Sequence, residues 1–371
     1  MVIAFLFFLP FILTYTVFVV YAERKVSAFM QDRLGPMETG KYGLIQTVAD
    51  LLKLLQKEDV IPKSADKLLF ALAPIVIFTS IFAGFAVMPV NMNVVGSDAP
   101  IGVFYLMAII SLDVIGVLMA GWASNNKYSL FGAMRSVAQI VSYEIPLGLS
   151  VLAVVMISQT LNLQEMCFQQ GVWFGSYENA TATGDAQNYL FGIKSLGIET
   201  TVWGGFFTWN IFRAPHMIFV FIIFFISSLA EANRAPFDLP ESESELIGGY
   251  HTEYSGFKWA LFMLSEYAVM LLVSLLAAVL FFGGWNTPLP NIGEWKLAEL
   301  TSGEPGSIIS NIWGVFWLFT KAFGLIFLQM WARWTYPRLR VDQLMSLCWK
   351  YLIPISLVMI IASAVWRLFM I

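Results

Sequence analysis

A short stretch of the chain, Glu231 to Glu253, concentrates carboxylates between two strongly apolar segments. One arginine, Arg234, and one histidine, His251, accompany them. Clustered carboxylates perturb one another's protonation and titrate as a coupled set. The stretch therefore indicates groups that take up and release protons. Its acids are Glu231, Asp238, Glu241, Glu243, Glu245 and Glu253.

Two plainer interpretations of this stretch remain open. Asp238 followed by Glu241 resembles the capping box of a helix, and Pro240 suits a first helical turn. Capping accounts for one or two acids but not for six. A solvated acidic loop is the other interpretation, and the apolar flanking sequence LAEANRAPFDLP disfavours it.

Four further ionisable residues lie inside apolar segments, namely Asp113, Glu144, Glu266 and Lys321. An ionisable group within a membrane span is expensive unless it is paired or hydrated, so each is a functional candidate. Counted at about 1.5 Å per residue from the nearest flanking cation, Glu144 and Glu266 share a depth, Lys321 lies deeper and Asp113 deepest. This arrangement favours a hydrated polar line for protons. The alternative is a structural ion pair of Lys321 with Glu266 or Glu144.

The composition requires a membrane to accommodate these segments. Of 371 residues, 58% are hydrophobic and only 12% are charged, whereas soluble domains carry about 25% charged residues. Continuous apolar runs of about 20 residues predict spanning helices and exclude a closed barrel. We therefore predict an all-α polytopic protein with eight transmembrane helices, forming a single membrane domain over 1–371. The predicted spans are 1–22, 68–90, 100–123, 136–161, 206–230, 259–285, 307–332 and 351–371, and Arg213 moves the expected start of the fifth to Ala214.

The distribution of lysine and arginine predicts the orientation. Most of the 21 basic residues lie in the loops after the first, third, fifth and seventh spans, and basic loops stay inside. The inner loops are then 23–67, 124–135, 231–258 and 333–350, and both termini lie on the outer side. The outer loop 162–205 is long and polar, which indicates a peripheral elaboration.

The first inner loop contains an amphipathic pattern. Its apolar residues recur at helical spacing over about three turns, opposite a polar face that includes Asp50. The pattern predicts an amphipathic helix on the membrane interface, and a helix packed on the bundle is the alternative. The apolar positions are Leu44, Ile45, Val48, Leu51, Leu52 and Leu55.

Other chemistry is disfavoured by the same composition. Two cysteines, Cys167 and Cys348, and two histidines show no metal spacing and no disulfide framework. A net charge of −4 does not suggest a nucleic-acid partner.

Four long motifs resemble a known family, the H-type (also called subunit 1 type) membrane subunit of proton-translocating NADH:quinone oxidoreductase, which is respiratory complex I. The resemblance covers nearly the whole chain except the 162–205 loop. The motifs are AERKVSAFMQDRLGP (22–36), GWASNNKYSLFGAMRSVAQIVSYEIP (121–146), AEANRAPFDLPESESELIGGYHTEYSG (230–256) and WARWTYPRLRVDQLMSLCWKYLIP (331–354).

The resemblance implies a subunit without a redox centre or metal of its own, in a bacterial cell inner membrane. Flavin and iron–sulfur clusters would lie on partner subunits of the complex. Quinone would be the substrate, ubiquinone or menaquinone, and the chain would form much of the quinone chamber beside the peripheral arm. Its acids would couple quinone reduction to proton translocation. Other complex I subunits, membrane lipid and quinone are then the expected partners.

The resemblance also distributes roles over residues of this sequence. The proton-coupling set contains the acids of the 231–253 stretch, Glu144, Glu266 and Arg234. Asp113 and Lys321 are added because of their estimated depth in the membrane. The proton-coupling residues are Asp113, Glu144, Glu231, Arg234, Asp238, Glu241, Glu243, Glu245, Glu253, Glu266 and Lys321. The quinone-chamber candidates are Glu23, Arg24, Arg33, Asp50, Arg333 and Arg338, although Glu23, Arg24 and Arg33 alone resemble an ordinary anchor and turn.

Three alternative functions compete with this interpretation. The membrane subunit of an energy-converting hydrogenase would share many acids without using quinone, and the sequences QDRLGP and RAPFDLPESESE favour the quinone enzyme. A secondary transporter would show repeats and broken helices, which the sequence lacks. A purely structural membrane anchor would not require so many acids on the inner side.

Overall fold

The computed structural model describes residues 2–173, 189–193, 197–239, 248–292, 295–304 and 306–370, with side chains from Phe8 onward. This part of the chain is helical and contains no β-strand beyond isolated bridges. The helices are α1 (Val2–Met30), α2 (Gln46–Gln56), α3 (Lys67–Phe85), α4 (Gly102–Ile110), α5 (Leu112–Ala123), α6 (Lys127–Ser158), α7 (Leu163–Gln169), α8 (Thr200–Trp203), α9 (Asn210–Arg213), α10 (Met217–Glu231), α11 (Gly256–Phe281), α12 (Leu297–Ser302), α13 (Ile308–Thr335), α14 (Val341–Ser346) and α15 (Ile353–Phe369).

Within the described ranges, six helical segments are long and apolar enough to cross a membrane. A shorter apolar helix, α10, accompanies them, and α1 extends over 29 residues. The prediction of an all-helical, multi-pass membrane protein is therefore confirmed. The six segments are α3, α4 with α5, α6, α11, α13 and the run Val341–Phe369, in which a π-helical turn joins α14 to α15.

Helix α11 forms the centre of the bundle. The apolar window of α11 is 89% buried, whereas those of the other five segments are 17–56% buried. It packs against α1, α2, α3, α10 and α13. Polar side chains on α11 can therefore meet partners from several helices.

Some helices begin at other residues than the predicted spans, because capping side chains and local backbone conformation determine where a helix starts. Helix α6 begins at Lys127, because the side chain of Asn126 caps it by accepting from the N–H of Tyr128 at 2.9 Å. Most of the predicted loop 124–135 is thus helical. Helix α10 begins only at Met217, since Ala214 is extended, as residues before a proline tend to be.

The start of the long loop 162–205 is buried rather than peripheral. Leu163, Met166 and Cys167 on α7 are almost fully buried. Gln170 then accepts from the backbone N–H groups of Asn210 and Gly283, at 2.9 and 3.1 Å. The segment closes over the end of α11, so its polar residues satisfy backbone groups. Residues 174–188 and 194–196 of this loop lie outside the described residues.

Lys321 on α13 also closes that end of α11. Its ammonium donates to the carbonyls of Phe282, Gly284 and Asn286 at 2.6, 2.9 and 2.5 Å, and it lies 4.5 Å from the ring centroid of Trp209. A lysine near a helix C-terminus satisfies carbonyls that have no partner within the helix. This contact therefore ties α13 to α11.

At the other end of the bundle, residues 231–239 and 248–256 lie together; we call this the acidic-loop end. Gly132 on α6 and Gly249 meet there at backbone distance. Ser129 donates from its hydroxyl to the carbonyl of Tyr250 at 2.9 Å. The absence of a side chain at position 132 allows this approach.

Replacing Gly132 by alanine is expected to destabilise the protein by about 1–3 kcal/mol, since the added Cβ overpacks the contact. That Cβ would lie 2.8 Å from the Cα of Gly249. Gly148→Ala on the same helix is the matched control, because its nearest neighbour would be Met107 at 3.8 Å. Thermal unfolding of the purified complexes measures the difference. Equal melting temperatures for the two variants would contradict the packing.

Candidate functional site

The turn after α10 positions the first two site residues. Asn233 adopts φ 49°, a left-handed conformation that asparagine tolerates. The N–H of Arg234 then donates to the carbonyl of Leu229 at 3.1 Å, and that of Asn233 donates to Ala230 at 3.3 Å. This is a Schellman motif. It reverses the chain directly after Glu231, and we call 229–234 the α10 turn.

Gln139 on α6 holds the α10 turn in place. Its side chain is fully buried and its Nε2 donates to the carbonyls of Ala230 and Phe237 at 2.9 and 2.7 Å, with Asn233 Oδ1 at 3.3 Å. Gln139 was not among the residues predicted from the sequence. A buried amide in an apolar helix was the available signal.

Arg234 leads from the turn into a cluster around Glu23. Nη1 of Arg333 donates to Oε1 of Glu23, and the Tyr267 hydroxyl donates to its Oε2 at 2.7 Å. Nη1 of Arg234 lies 3.6 Å from Oε1, and its Cζ is 4.3 Å from the ring centroid of Tyr267. We call Glu23, Arg234, Tyr267 and Arg333 the Glu23 cluster.

The Glu23 cluster joins four separate segments of the chain. Glu23 belongs to α1, Tyr267 to α11 and Arg333 to α13, while Arg234 follows α10. The side chains of Glu23 and Arg234 are each 7% exposed and that of Arg333 is 24% exposed. Buried charges require such partners, because removing one partner of a buried pair costs about 3–5 kcal/mol.

Glu231, in the α10 turn, interacts electrostatically with two acids. Its side chain is 3% exposed and lies within electrostatic range of Glu144 and Asp113. Asp113 is also buried and interacts with Glu144. We call Asp113, Glu144 and Glu231 the acid cluster. The depths counted from the sequence place Glu144 level with Glu266 and Asp113 deeper, so they do not predict this convergence.

Few donors serve the acid cluster. Ser111, at the break between α4 and α5, donates from its hydroxyl to Oε1 of Glu144. Within the described part of the chain, Oδ1 of Asp113 and Oε2 of Glu231 have no hydrogen-bond donor. These oxygens are therefore available to a proton or to water.

Two predicted chamber residues form a separate pair. Nη1 of Arg24 lies 2.6 Å from Oδ2 of Asp50, which ties α1 to α2. Gln46 donates to the other oxygen of Asp50 at 3.2 Å. Although Glu23 and Arg24 are adjacent, one points into the Glu23 cluster and the other towards α2.

A second pair lies at the rim of the acidic-loop end. Nη2 of Arg338 donates to Oδ2 of Asp238 at 2.8 Å, and the side chains are 48% and 3% exposed. His251 lies within electrostatic range of Asp238. Burial lowers the pKa of His251 to about 4, although the charge of Asp238 acts in the opposite direction. The imidazole is therefore neutral at neutral pH.

Glu253 and Glu266 contact polar partners at this end of the bundle. Asn126 donates from Nδ2 to Oε1 of Glu253 at 2.6 Å. The Tyr250 hydroxyl lies 3.3 Å from Oε1 of Glu266, and both residues make further interactions. Tyr250 and Tyr267 were not predicted from the sequence, since tyrosines next to apolar residues carry no distinctive pattern.

Several predicted residues are not brought into these clusters. Arg33 is exposed, and its Nε donates to Gln31 at 2.8 Å. Lys321 forms neither of the ion pairs considered from the sequence, with Glu266 or Glu144, because its ammonium is held by backbone carbonyls. Glu241, Glu243 and Glu245 lie outside the described residues.

The donor set indicates which groups this site can hold. In the described ranges no group of three or more histidine, cysteine, aspartate or glutamate side chains is arranged to bind a metal ion. The arginine and tyrosine donors of the Glu23 cluster can bind oxygen atoms. A carbonyl oxygen that gains negative charge would be attracted to Arg234 and Arg333.

Comparisons with known proteins agree with this architecture. The family model described as NADH dehydrogenase matches residues 2–364. The second H-type subunit of the NADH-quinone oxidoreductase of Cytophaga hutchinsonii is 58% identical and covers 98% of both chains. The H-type subunit of Chlorobium luteolum is 50% identical over 94% of this chain and 84% of its own, and that of Bacillus thuringiensis is 43% identical over 95% and 90%. The chain therefore belongs to the family of H-type membrane subunits of NADH-quinone oxidoreductase.

Proposed function

We propose that this chain is the membrane subunit that links quinone reduction to proton translocation in a proton-translocating NADH:quinone oxidoreductase. It would supply part of the quinone chamber and the first acids of the proton path. The electrons would come from an iron–sulfur cluster on a partner subunit. Flavin would lie on another partner subunit, and this chain would carry no tightly bound cofactor.

One observation carries the proposal: the α10 turn connects the Glu23 cluster, in which a carboxylate is paired with arginines, to the acid cluster, which contains only carboxyl groups. Arg234 pairs with Glu23, and Glu231 interacts electrostatically with Glu144 and Asp113. Only two residues separate Glu231 from Arg234. A change of charge at the Glu23 cluster therefore acts on the acid cluster over a short distance.

The chemistry of quinone reduction uses both groups. Each quinone takes up two electrons and two protons, so negative charge appears on its oxygens before the protons arrive. Arg234 and Arg333 would attract that charge, and Tyr267 would orient Glu23. Carboxylates that share a buried site hold protons jointly, so the acid cluster would exchange protons as the charge changes.

The other predicted residues extend these two roles. Glu266, Glu253 and Asp238 would continue the proton path at the acidic-loop end, together with Glu241, Glu243 and Glu245. Lys321 would contribute a fixed positive charge at the far end of α11. Arg24 with Asp50, Arg33 and Arg338 would line the mouth of the chamber.

Helix α2 would provide the entry for quinone from the bilayer. Ile45, which caps the helix, and Leu52 and Leu55 within it are 52–54% exposed, while Asp50 anchors the helix to α1. An exposed apolar face on an otherwise polar short helix suits the membrane interface. This exposure favours the interfacial location over close packing on the bundle.

We further propose eight membrane spans, with α1 and α10 added to the six longer segments. The basic loops would face inwards and both termini outwards, in a bacterial cell inner membrane. Neighbouring complex I subunits would cover the acidic-loop end. The names of the relatives favour this assignment over an energy-converting hydrogenase subunit and over a secondary transporter.

Replacing Glu231 by glutamine is expected to reduce quinone-linked proton pumping by more than half. Glutamine keeps the size of the side chain but cannot exchange a proton. NADH oxidation by ferricyanide should persist, since it bypasses the quinone. Glu299→Gln is the control, because Glu299 pairs with Lys296 outside both clusters. Undiminished pumping by an assembled Glu231→Gln complex would refute the role of this residue.

Replacing Arg333 by glutamine is expected to lower kcat/KM for a short-chain quinone about tenfold, which corresponds to about 1.4 kcal/mol. The loss is moderate because Arg234 still faces Glu23. Steady-state quinone reduction by the purified complex measures it. Exposed Arg340 provides the control variant, Arg340→Gln. If both variants kept the wild-type kcat/KM, Arg333 would have no part in the chamber.

A further inference from the structure

A groove lies at the end of the bundle opposite the acidic loop, between α6 and α15. It has a volume of about 620 Å³. Val155, Met156 and Leu161 supply apolar walls, while Thr160 and Arg367 supply polar atoms. Helix α6 starts beside Glu253 and its 32 residues extend for about 48 Å. The groove is therefore at the opposite end of α6 from Glu253, and Val155 lies about 16 Å along the helix from Glu144 of the acid cluster.

Arg367 provides an unusual donor in this groove. Its Nε and Nη1 are buried, and neither has a hydrogen-bond acceptor in the described part of the chain. A guanidinium presents fixed parallel donors that match the oxygens of a phosphate. Buried donors normally have a partner, and the described residues supply none for these two atoms.

A second arginine adds to the positive charge. Arg213 is 3% exposed, donates to the carbonyl of Gln169 and lies within repulsive electrostatic range of Arg367. Two neighbouring guanidinium groups favour an anion close to both.

Two acids at this end of the described chain are engaged with other partners. Oε2 of Glu165 accepts from the Thr160 hydroxyl at 2.6 Å, and Oδ1 of Asp98 accepts from Asn162 at 2.7 Å. Neither forms a salt bridge with Arg367. The anion that suits Arg367 is therefore not one of these two carboxylates.

The surroundings distinguish a lipid from a soluble anion. Around Arg367, α15 exposes Val365, Leu368 and Phe369, which are 47%, 71% and 67% exposed. The apolar window of Val341–Phe369 is only 17% buried. The groove thus opens onto an apolar flank at the end of a spanning helix, where lipid headgroups and acyl chains meet.

We propose that the groove between α6 and α15 binds an anionic phospholipid, with its phosphate on Arg367 and an acyl chain along Val155 and Met156. This inference rests on the membrane topology proposed above but not on the quinone or proton roles. Its test measures lipid binding rather than activity, so the two proposals can fail separately.

The test is native mass spectrometry of the purified, delipidated complex titrated with phosphatidylglycerol, phosphatidylcholine or inorganic phosphate. We expect phosphatidylglycerol to bind at least fivefold more tightly than phosphatidylcholine. Arg367→Gln should weaken that binding at least fivefold, and Ala364→Phe should do so by filling the groove while leaving Arg367 in place. Lys296→Gln, which removes an exposed cation elsewhere, should bind like the wild type.

Other outcomes overturn the proposal. Equal binding of the two lipids would show that the arginines do not select an anion. If inorganic phosphate saturated the groove without displacing phosphatidylglycerol, the groove would be a site for a soluble ion and the lipid would bind elsewhere. If Arg367→Gln prevents assembly, Ala364→Phe decides, since unchanged binding of phosphatidylglycerol by that variant would place the lipid outside the groove.

Discussion

A buried carboxylate is stabilised either by a neighbouring positive charge or by taking up a proton. Residues of both kinds lie next to the α10 turn. Glu23 is met by Arg333 and Arg234. Glu231, in the same turn as Arg234, faces Asp113 and Glu144 with no cation among its described contacts. Ion pairing stabilises the first group, while protons must balance the second. The rest of the bundle serves to hold these two groups beside one turn.

This requirement explains otherwise unrelated features of the fold. Gln139 donates two hydrogen bonds to the turn and a third to Phe237 just after it, which fixes the positions of Glu231 and Arg234. The close approach at Gly132 keeps the 249–251 turn on α6. Lys321 locks the far end of α11 through backbone carbonyls. Each contact restricts a helix that contributes to one of the two clusters.

The sequence predicts much of this arrangement because burial of charge is expensive wherever it occurs. Hydropathy alone predicts the all-helical membrane class, and it identifies Asp113 and Glu144 as ionisable residues within apolar helices. Helical period predicts α2 from Leu44 onward, although the helix itself begins at Gln46. These inferences depend only on local spacing.

What the sequence does not predict is the choice of partner across helices. Lys321 was considered as an ion-pair partner for Glu266, yet it binds carbonyls, because the end of α11 comes within its reach. Tyr267 gives no signal beside Glu266, since its importance arises from the placement of Glu23 on α1. The start of α10 shifts to Met217 through local backbone conformation. Helical period specifies a face of a helix, whereas packing determines which side chain that face meets.

Charge at the Glu23 cluster should control protonation in the acid cluster through the α10 turn. Redox-induced infrared difference spectroscopy of the quinone-loaded complex tests this coupling most directly, because protonated carboxyl groups have their own C=O stretching band. Quinone reduction should produce a carboxyl band in the wild-type complex that disappears in Glu231→Gln and persists in Glu299→Gln. A carboxyl band that is unchanged in Glu231→Gln would contradict the account.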